Sequence, residues 1–387
     1  MITLLRLLLL GVALTAQDPD PRKAGLDPQK LSALGPKLQE FIDRNEAAGL
    51  VTLVVRRGHV ASLETAGWQD FENKVPMKAD TIFRIASMTK PVTSIALLML
   101  EEEGKLSIDD PVAKFVPEFG KVETPKPITV KHLLTHTSGI PTAMPQGMSD
   151  LWAKRNRTLA EAAPAFARAP QFEPGTKWVY CNTGFDTLGR VIEVASGKPF
   201  ETFLEERLFK PLGMRDTSFY PAREKLARTA VPYKKDGDRL ARVESFLGDV
   251  PDGKYPIPAG GLFSTAGDLN RLYRMMLGRG TLDGRRYLSE ASVEKMTRNH
   301  TGDLKAAYAP GMVMGLGWQI LGTPTGVTEM LSPGSYGQGG AFGTQGWIDP
   351  KKEMFFVLLV QRTGFGDADA SELRRVLQSV AVSAVTD

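Results

Sequence analysis

Cysteine is almost absent from this chain. Its 387 residues hold one, Cys181, which excludes an internal disulfide and any metal site built from several thiolates. Stability must come from a core, and a chain this long can bury one without covalent staples. An excess of one charge is also missing. The formal net charge is +4, and basic residues alternate with acids, as in Ala222-Arg223-Glu224-Lys225. That is a solvated surface and not a nucleic-acid footprint. There is no internal repeat and no low-complexity tract. No Gly-x-Ser-x-Gly elbow exists, and the histidines are His59, His132, His136 and His300. Hydrophobic residues make up 42% and charged residues 24%, as in a soluble globular protein.

An apolar stretch long enough to span a bilayer is lacking too. Residues 7–16 follow Arg6 and run into Gln17-Asp18-Pro19-Asp20. Roughly ten helical residues rise only about 15 Å, half of a bilayer core. A positive residue, a short apolar stretch and a small-residue end predict a secretory signal over residues 1–20, with cleavage near Ala16. The mature protein is then periplasmic or extracellular, with no stable membrane span.

What is present centres on Ser87-Met88-Thr89-Lys90-Pro91. The residues that follow, Val92-Thr93-Ser94-Ile95-Ala96-Leu97-Leu98-Met99-Leu100, are apolar nearly all round and predict a buried helix. Proline is tolerated only in a first turn, so the helix starts near Ser87. It stops near Gly104. Residues three apart share a helix face, which brings the Lys90 amine to the Ser87 hydroxyl. Burial depresses a lysine pKa, and a neutral amine beside a hydroxyl makes an activated nucleophile. Ser-x-x-Lys alone also arises by chance about once in a few hundred residues.

Before this stretch, Asp27-Pro28 opens a helix carrying Leu31, Leu34, Leu38, Phe41 and Ile42. A hairpin follows, with strands over residues 50–56 and 60–67. From about 105 to 250 short amphipathic helices replace strands. Thr129 caps one that carries His132 and His136 at i, i+4. Zinc-protease chemistry would need glutamate directly after the first histidine, and Leu133 stands there. Asn182 is placed to cap a helix with Phe185, Leu188, Ile192 and Ala195 inward. An extended entry puts Tyr180 and Asn182 on one side. From about 255 a turn leads into a helix with Leu272, Met275, Met276 and Leu277. A glycine-rich stretch, residues 334–346, lacks the phosphate-loop and dinucleotide spacings, and its glycines suggest close backbone approach to a ligand. Residues 355–360 predict a fully buried strand, and a last helix carries Leu373, Val376, Leu377 and Val380. The order predicts one sheet from residues 21–104 and 251–387, with a helical region, residues 105–250, inserted.

Taken together, the motifs resemble the serine β-lactamase and penicillin-binding-protein family, in its class C β-lactamase-like branch that includes the family VIII carboxylesterases. Phe83-Arg84-Ile85-Ala86-Ser87-Met88-Thr89-Lys90 resembles its first motif and Tyr180-Cys181-Asn182 its second. Gln338-Gly339-Gly340 occupies the third. Leu133-Leu134-Thr135-His136-Thr137-Ser138-Gly139 and Gly260-Gly261-Leu262-Phe263-Ser264-Thr265-Ala266-Gly267-Asp268 are further landmarks. The resemblance implies an α/β fold, a mostly antiparallel sheet flanked by helices with an all-helical region. It implies a secreted serine hydrolase with an acyl-enzyme, and no metal or cofactor. In that scheme Ser87 attacks a carbonyl. Lys90 and Tyr180 share proton transfer, Tyr180 as a phenolate, and Asn182 orients Lys90 and substrate. The backbone N–H groups of Ser87 and Ala341 hold the oxyanion.

Departures bear on the substrate. The family's peptidases and β-lactamases begin the third motif with lysine, which helps hold a substrate carboxylate. Here it is neutral Gln338, with Gly339 in place of the usual hydroxyl residue. Losing that cation removes a charge-assisted hydrogen bond and favours small uncharged esters over β-lactams and D-alanyl-D-alanine or D-amino-acid peptides. The rival of another class is a non-catalytic penicillin- or peptidoglycan-binding protein on the same fold. Cys181 reads as a small buried packer pointing away from the site.

Overall fold

A computed structural model describes residues 18–248, 251–365 and 368–387. The expected signal segment lies outside these residues, apart from Asp18, Pro19 and Asp20. The central strand, β1 (Gly49–Arg56), is buried along its whole length, so it shows no polar alternation. Arg57 and Gly58 turn the chain at φ 51° and 76°, the pair of positive values a two-residue hairpin turn of matching twist requires. β2 (His59–Asp70) returns antiparallel, and a short β3 (Val75–Pro76) closes that side.

The other side of the sheet comes from the far end of the chain. β4 (Met312–Met314), β5 (Gln319–Leu321), β6 (Tyr336–Gly339), β7 (Gln345–Asp349) and β8 (Met354–Val360) complete an eight-stranded sheet. Its order is β4-β5-β6-β7-β8-β1-β2-β3, antiparallel throughout. Leu50 lies opposite Val360 and Arg56 opposite Met354. The fold is the expected α/β arrangement, one antiparallel sheet made from both ends of the chain.

Five helices carry the packing that matters here: α1 (Leu34–Asp43), α2 (Thr89–Glu102), α3 (Asn182–Ser196), α4 (Ala266–Leu277) and α5 (Glu372–Ser383). α1 and α5 cover one sheet face, where Leu38, Phe41 and Leu377 meet Trp347, Phe356 and Leu358. Ahead of α1, Asp27 caps a single turn, Pro28–Leu31, with its carboxylate on the N–H of Gln29. α2 and α4 cover the opposite face. Residues 89–100 of α2 are all buried, and each large apolar side chain among them contributes about 1.5–3 kcal/mol. A 3₁₀ turn, Ala86–Met88, precedes α2, Pro91 falls in its first turn, and Gly104 ends it at φ 69°.

Three expectations change. The region between residues 105 and 250 is mostly short helices, but a hairpin, Tyr233–Asp236 with Arg239–Arg242, interrupts it and pairs with Arg362–Thr363. Apart from Tyr233 its residues are exposed or half-buried, so no apolar alternation marks it. The helix capped by Thr129 is Val130–Leu134 and ends before His136, whose φ is 58°; the two histidines therefore share no helix face. Finally, Gly337 and Gly346 make room for core aromatics and not for a ligand. A Cβ on Gly337 would lie 2.6 Å from the Trp347 ring, and one on Gly346 would lie 1.9 Å from the Tyr273 hydroxyl oxygen.

Candidate active site

The site assembles where the start of α2, the start of α3 and the end of β6 meet. Lys90 lies one turn beyond Ser87, and its Nζ sits 3.1 Å from Ser87 Oγ. Nζ also donates to Asn182 Oδ1 at 2.8 Å and to the Ala259 carbonyl at 2.7 Å. Tyr180 donates its hydroxyl to Ser87 Oγ at 2.7 Å. Cys181 between them is extended, at φ −135° and ψ 108°, so Tyr180 and Asn182 share a side as expected. Asn182 does not cap α3; it is the first helical residue, and its side chain is taken by Lys90. The Cys181 thiol turns away, 3.2 Å from Thr183 Oγ1, and burial pushes its pKa up.

Lys90 is 1% exposed. Burial pulls its pKa down to about 7, against the charge of Asp186, which favours the ammonium. A neutral amine has two hydrogens and one lone pair. Asn182 Oδ1 and the Ala259 carbonyl can only accept, so they take both hydrogens. The lone pair is left facing Ser87 Oγ. Burial, opposed by the hydrogen bond to Ser87, pushes the Tyr180 phenol well above its ordinary value. That direction, with the hydroxyl donating to Ser87 Oγ, favours a neutral phenol over the phenolate expected for Tyr180. Its ring lies under the Lys90 ammonium position, 4.6 Å from Nζ to centroid.

The third motif abuts the nucleophile through its backbone. A Cβ on Gly340 would lie 2.4 Å from the Ile85 carbonyl oxygen, and Thr344 Oγ1 donates to that same carbonyl at 3.2 Å. Ala341 follows at the surface, and its N–H meets no acceptor among the described residues. Ser87 lies in a first turn, where N–H groups have no intrahelical acceptor. Between them Ala86 holds φ 45°, a backbone state that costs about 1–3 kcal/mol for a non-glycine residue. Gly340 and Gly260 flank it closely. Gln338 is 3% exposed, and its Oε1 accepts from Gln319 Nε2 at 3.3 Å. Gly339 leaves its Cβ space to Asp369.

Three participants escaped sequence reasoning. Asp186, fully buried on α3, accepts from Trp152 Nε1 at 2.9 Å and from the Ala259 N–H at 3.0 Å. It thus holds the residue whose carbonyl accepts from Lys90, through the peptide on its other side, and burial raises the Asp186 pKa to about 6. The signal was a lone acid among apolar residues, one turn after Asn182. His136 is buried, accepts from the Cys181 N–H at 3.1 Å and lies against the Tyr180 ring at 4.5 Å between centroids. Burial and nearby Lys90 keep it neutral, well below its ordinary pKa. The ordinary helix context expected for it is corrected: it braces the Tyr180–Asn182 segment. The strained Ala86 had no sequence signal.

Comparison with known proteins bears on family and fold. The Beta-lactamase family model matches residues 36–381. The chain is 29% identical to esterase EstB of Burkholderia gladioli, covering 91% of this chain and 95% of EstB. It is 27% identical to the D-alanyl-D-alanine-carboxypeptidase/endopeptidase AmpH of Escherichia coli K12, covering 87% and 86%. The structure of EstCE1, a hydrolase with promiscuous acyltransferase activity, superposes with a TM-score of 0.80 at 24% identity, covering 92% of this chain and 99% of that one; this likeness is one of fold. The chain belongs to the β-lactamase family of serine hydrolases.

Proposed function

We propose that the protein is an exported esterase that cleaves small uncharged carboxylic esters through an acyl-enzyme on Ser87. Neutral Lys90 removes the Ser87 proton as Oγ bonds to the ester carbonyl carbon. The resulting oxyanion lies between the N–H groups of Ser87 and Ala341. Collapse breaks the carbon–oxygen bond to the leaving alcohol. That alkoxide takes the Tyr180 proton, and the Lys90 ammonium restores it. Water then repeats the sequence on the acyl-enzyme, with the Lys90–Tyr180 pair accepting its proton, and frees the acid. Removing one oxyanion donor from such a site typically costs about two to three orders of magnitude in rate.

The observation that carries the ester reading is Gln338. It offers no cation to a substrate carboxylate, and its amide oxygen is engaged by Gln319. EstB, an esterase by name, supports the same class. The test is a side-by-side assay of the mature protein on p-nitrophenyl butyrate and a chromogenic cephalosporin, with Ser87→Ala as control. Butyrate turnover that vanishes in Ser87→Ala is the expected result. Faster cephalosporin turnover would replace the ester reading with a β-lactamase, and stoichiometric acylation without turnover would make the protein a binder.

A further inference from the structure

Gly339 stands where the resembled family carries a hydroxyl, and the structure shows what fills that space. A Cβ built on Gly339 would lie 1.8 Å from Asp369 Oδ1. Asp369 comes from the segment just before α5 and is 8% exposed. Its Oδ2 accepts from Gln319 Nε2 at 2.9 Å, and its Oδ1 accepts from Gln345 Nε2 at 3.0 Å. Each carboxylate oxygen thus accepts from an amide N–H. Gln319 Nε2 is shared with Gln338 Oε1, so the carboxylate lies beside the third motif. The guanidinium of Arg374 holds the Asp369 main-chain carbonyl at 2.6 Å and lies over the Trp347 ring. On the site side, the Asp369 charge is felt by the Tyr180 phenol.

The family pattern thus changes in two steps at one place: the lysine is gone, and a carboxylate occupies the room of the hydroxyl. We infer that Asp369 is a specificity-determining residue: it gives the third motif a negative charge, so the site rejects carboxylate-bearing substrates and accepts neutral and cationic ones. This rests on the esterase reading above. The physical cause is like-charge repulsion between the Asp369 carboxylate and a substrate carboxylate placed beside the third motif.

The test compares three p-nitrophenyl esters of similar length: pentanoate, hydrogen glutarate and 4-(trimethylammonio)butanoate. In the wild-type protein kcat/KM for glutarate should lie about tenfold or more below pentanoate, with the cationic ester at or above pentanoate. In Asp369→Asn the pentanoate-to-glutarate ratio should fall about tenfold. A salt series on the wild-type protein gives the same reading if the variant does not fold, because added salt should narrow the ratio. A ratio that ignores both the substitution and salt overturns the inference. Pentanoate turnover that survives Ser87→Ala overturns the esterase reading instead, so the two failures are distinct.

Discussion

Lys90 has three oxygen neighbours, and two of them accept without being able to donate. That count makes it a base at neutral pH and gives the reaction its pH dependence. Below about pH 7 the ammonium has no lone pair, and the rate falls; above it, the rate should level off. Asp186 favours the ammonium, so removing its charge makes Lys90 give up its proton more readily. Asp186→Asn should therefore move the midpoint of the kcat/KM profile to lower pH, by about one unit. A purely structural role for Asp186 would lower the rate and leave the midpoint in place. His136 makes the opposite prediction. His136→Ala removes the acceptor of the Cys181 N–H, which costs about 1–3 kcal/mol of stability, and should lower kcat about tenfold with an unchanged midpoint. Complete loss of activity in a folded His136→Ala protein would point to a histidine base and sink the Lys90 assignment.

At the scale of elements, the site depends on β6 lying hard against the turn before α2. Gly339 and Gly340 permit that approach, and each faces a different neighbour: Asp369 for the first, the Ile85 carbonyl for the second. Gly339→Ser restores the family's hydroxyl where Asp369 already lies, and should destabilise the protein by about 1–3 kcal/mol. In a Gly339→Ser/Asp369→Ala double variant most of that loss should return, because neighbours that collide are strongly coupled. Denaturant midpoints of the four proteins measure the coupling, and strict additivity would mean that Asp369 does not fill the space. Much of this scale was legible in sequence. Pro91 and the apolar run fixed α2, and Tyr180-x-Asn182 placed two side chains on one side. Asp369 was not legible, because it meets Gly339 across thirty positions, a separation read from 369 and 339, and no periodicity links them. Ala86 was hidden for a related reason: the neighbours that pack against its backbone, Gly260 and Gly340, are remote in sequence.

On the scale of the whole molecule, the two ends of the described chain are joined. Leu26 bridges Val385, and Arg56 pairs with Asp387 at 2.7 Å. Cleavage near Ala16, as expected from the sequence, would fall before Asp18, the first described residue. N-terminal sequencing of protein recovered from outside the cytoplasm should begin near residue 17; an intact Met1 on exported protein would contradict the signal reading. The sheet from both ends was legible because apolar strands flank a helical middle. The hairpin Tyr233–Asp236 with Arg239–Arg242 was not, since its stability comes from pairing with Arg362–Thr363 and not from its own apolar pattern.

The pairing of Leu50 with Val360 also sets an order of events in time. β1 leaves the ribosome early, and its partner β8 leaves about 310 residues later, the difference of 360 and 50. At about 5–20 residues per second, the central strand waits roughly 15–60 s with one edge open. Ser87, Lys90, Tyr180 and Asn182 are all synthesised early in that interval, and the turn after β6 that completes their site only near its end. A nascent chain stalled before residue 340 thus carries every proton-transfer group and no oxyanion pocket, and hydrolase activity must wait for about the last eighth of the chain.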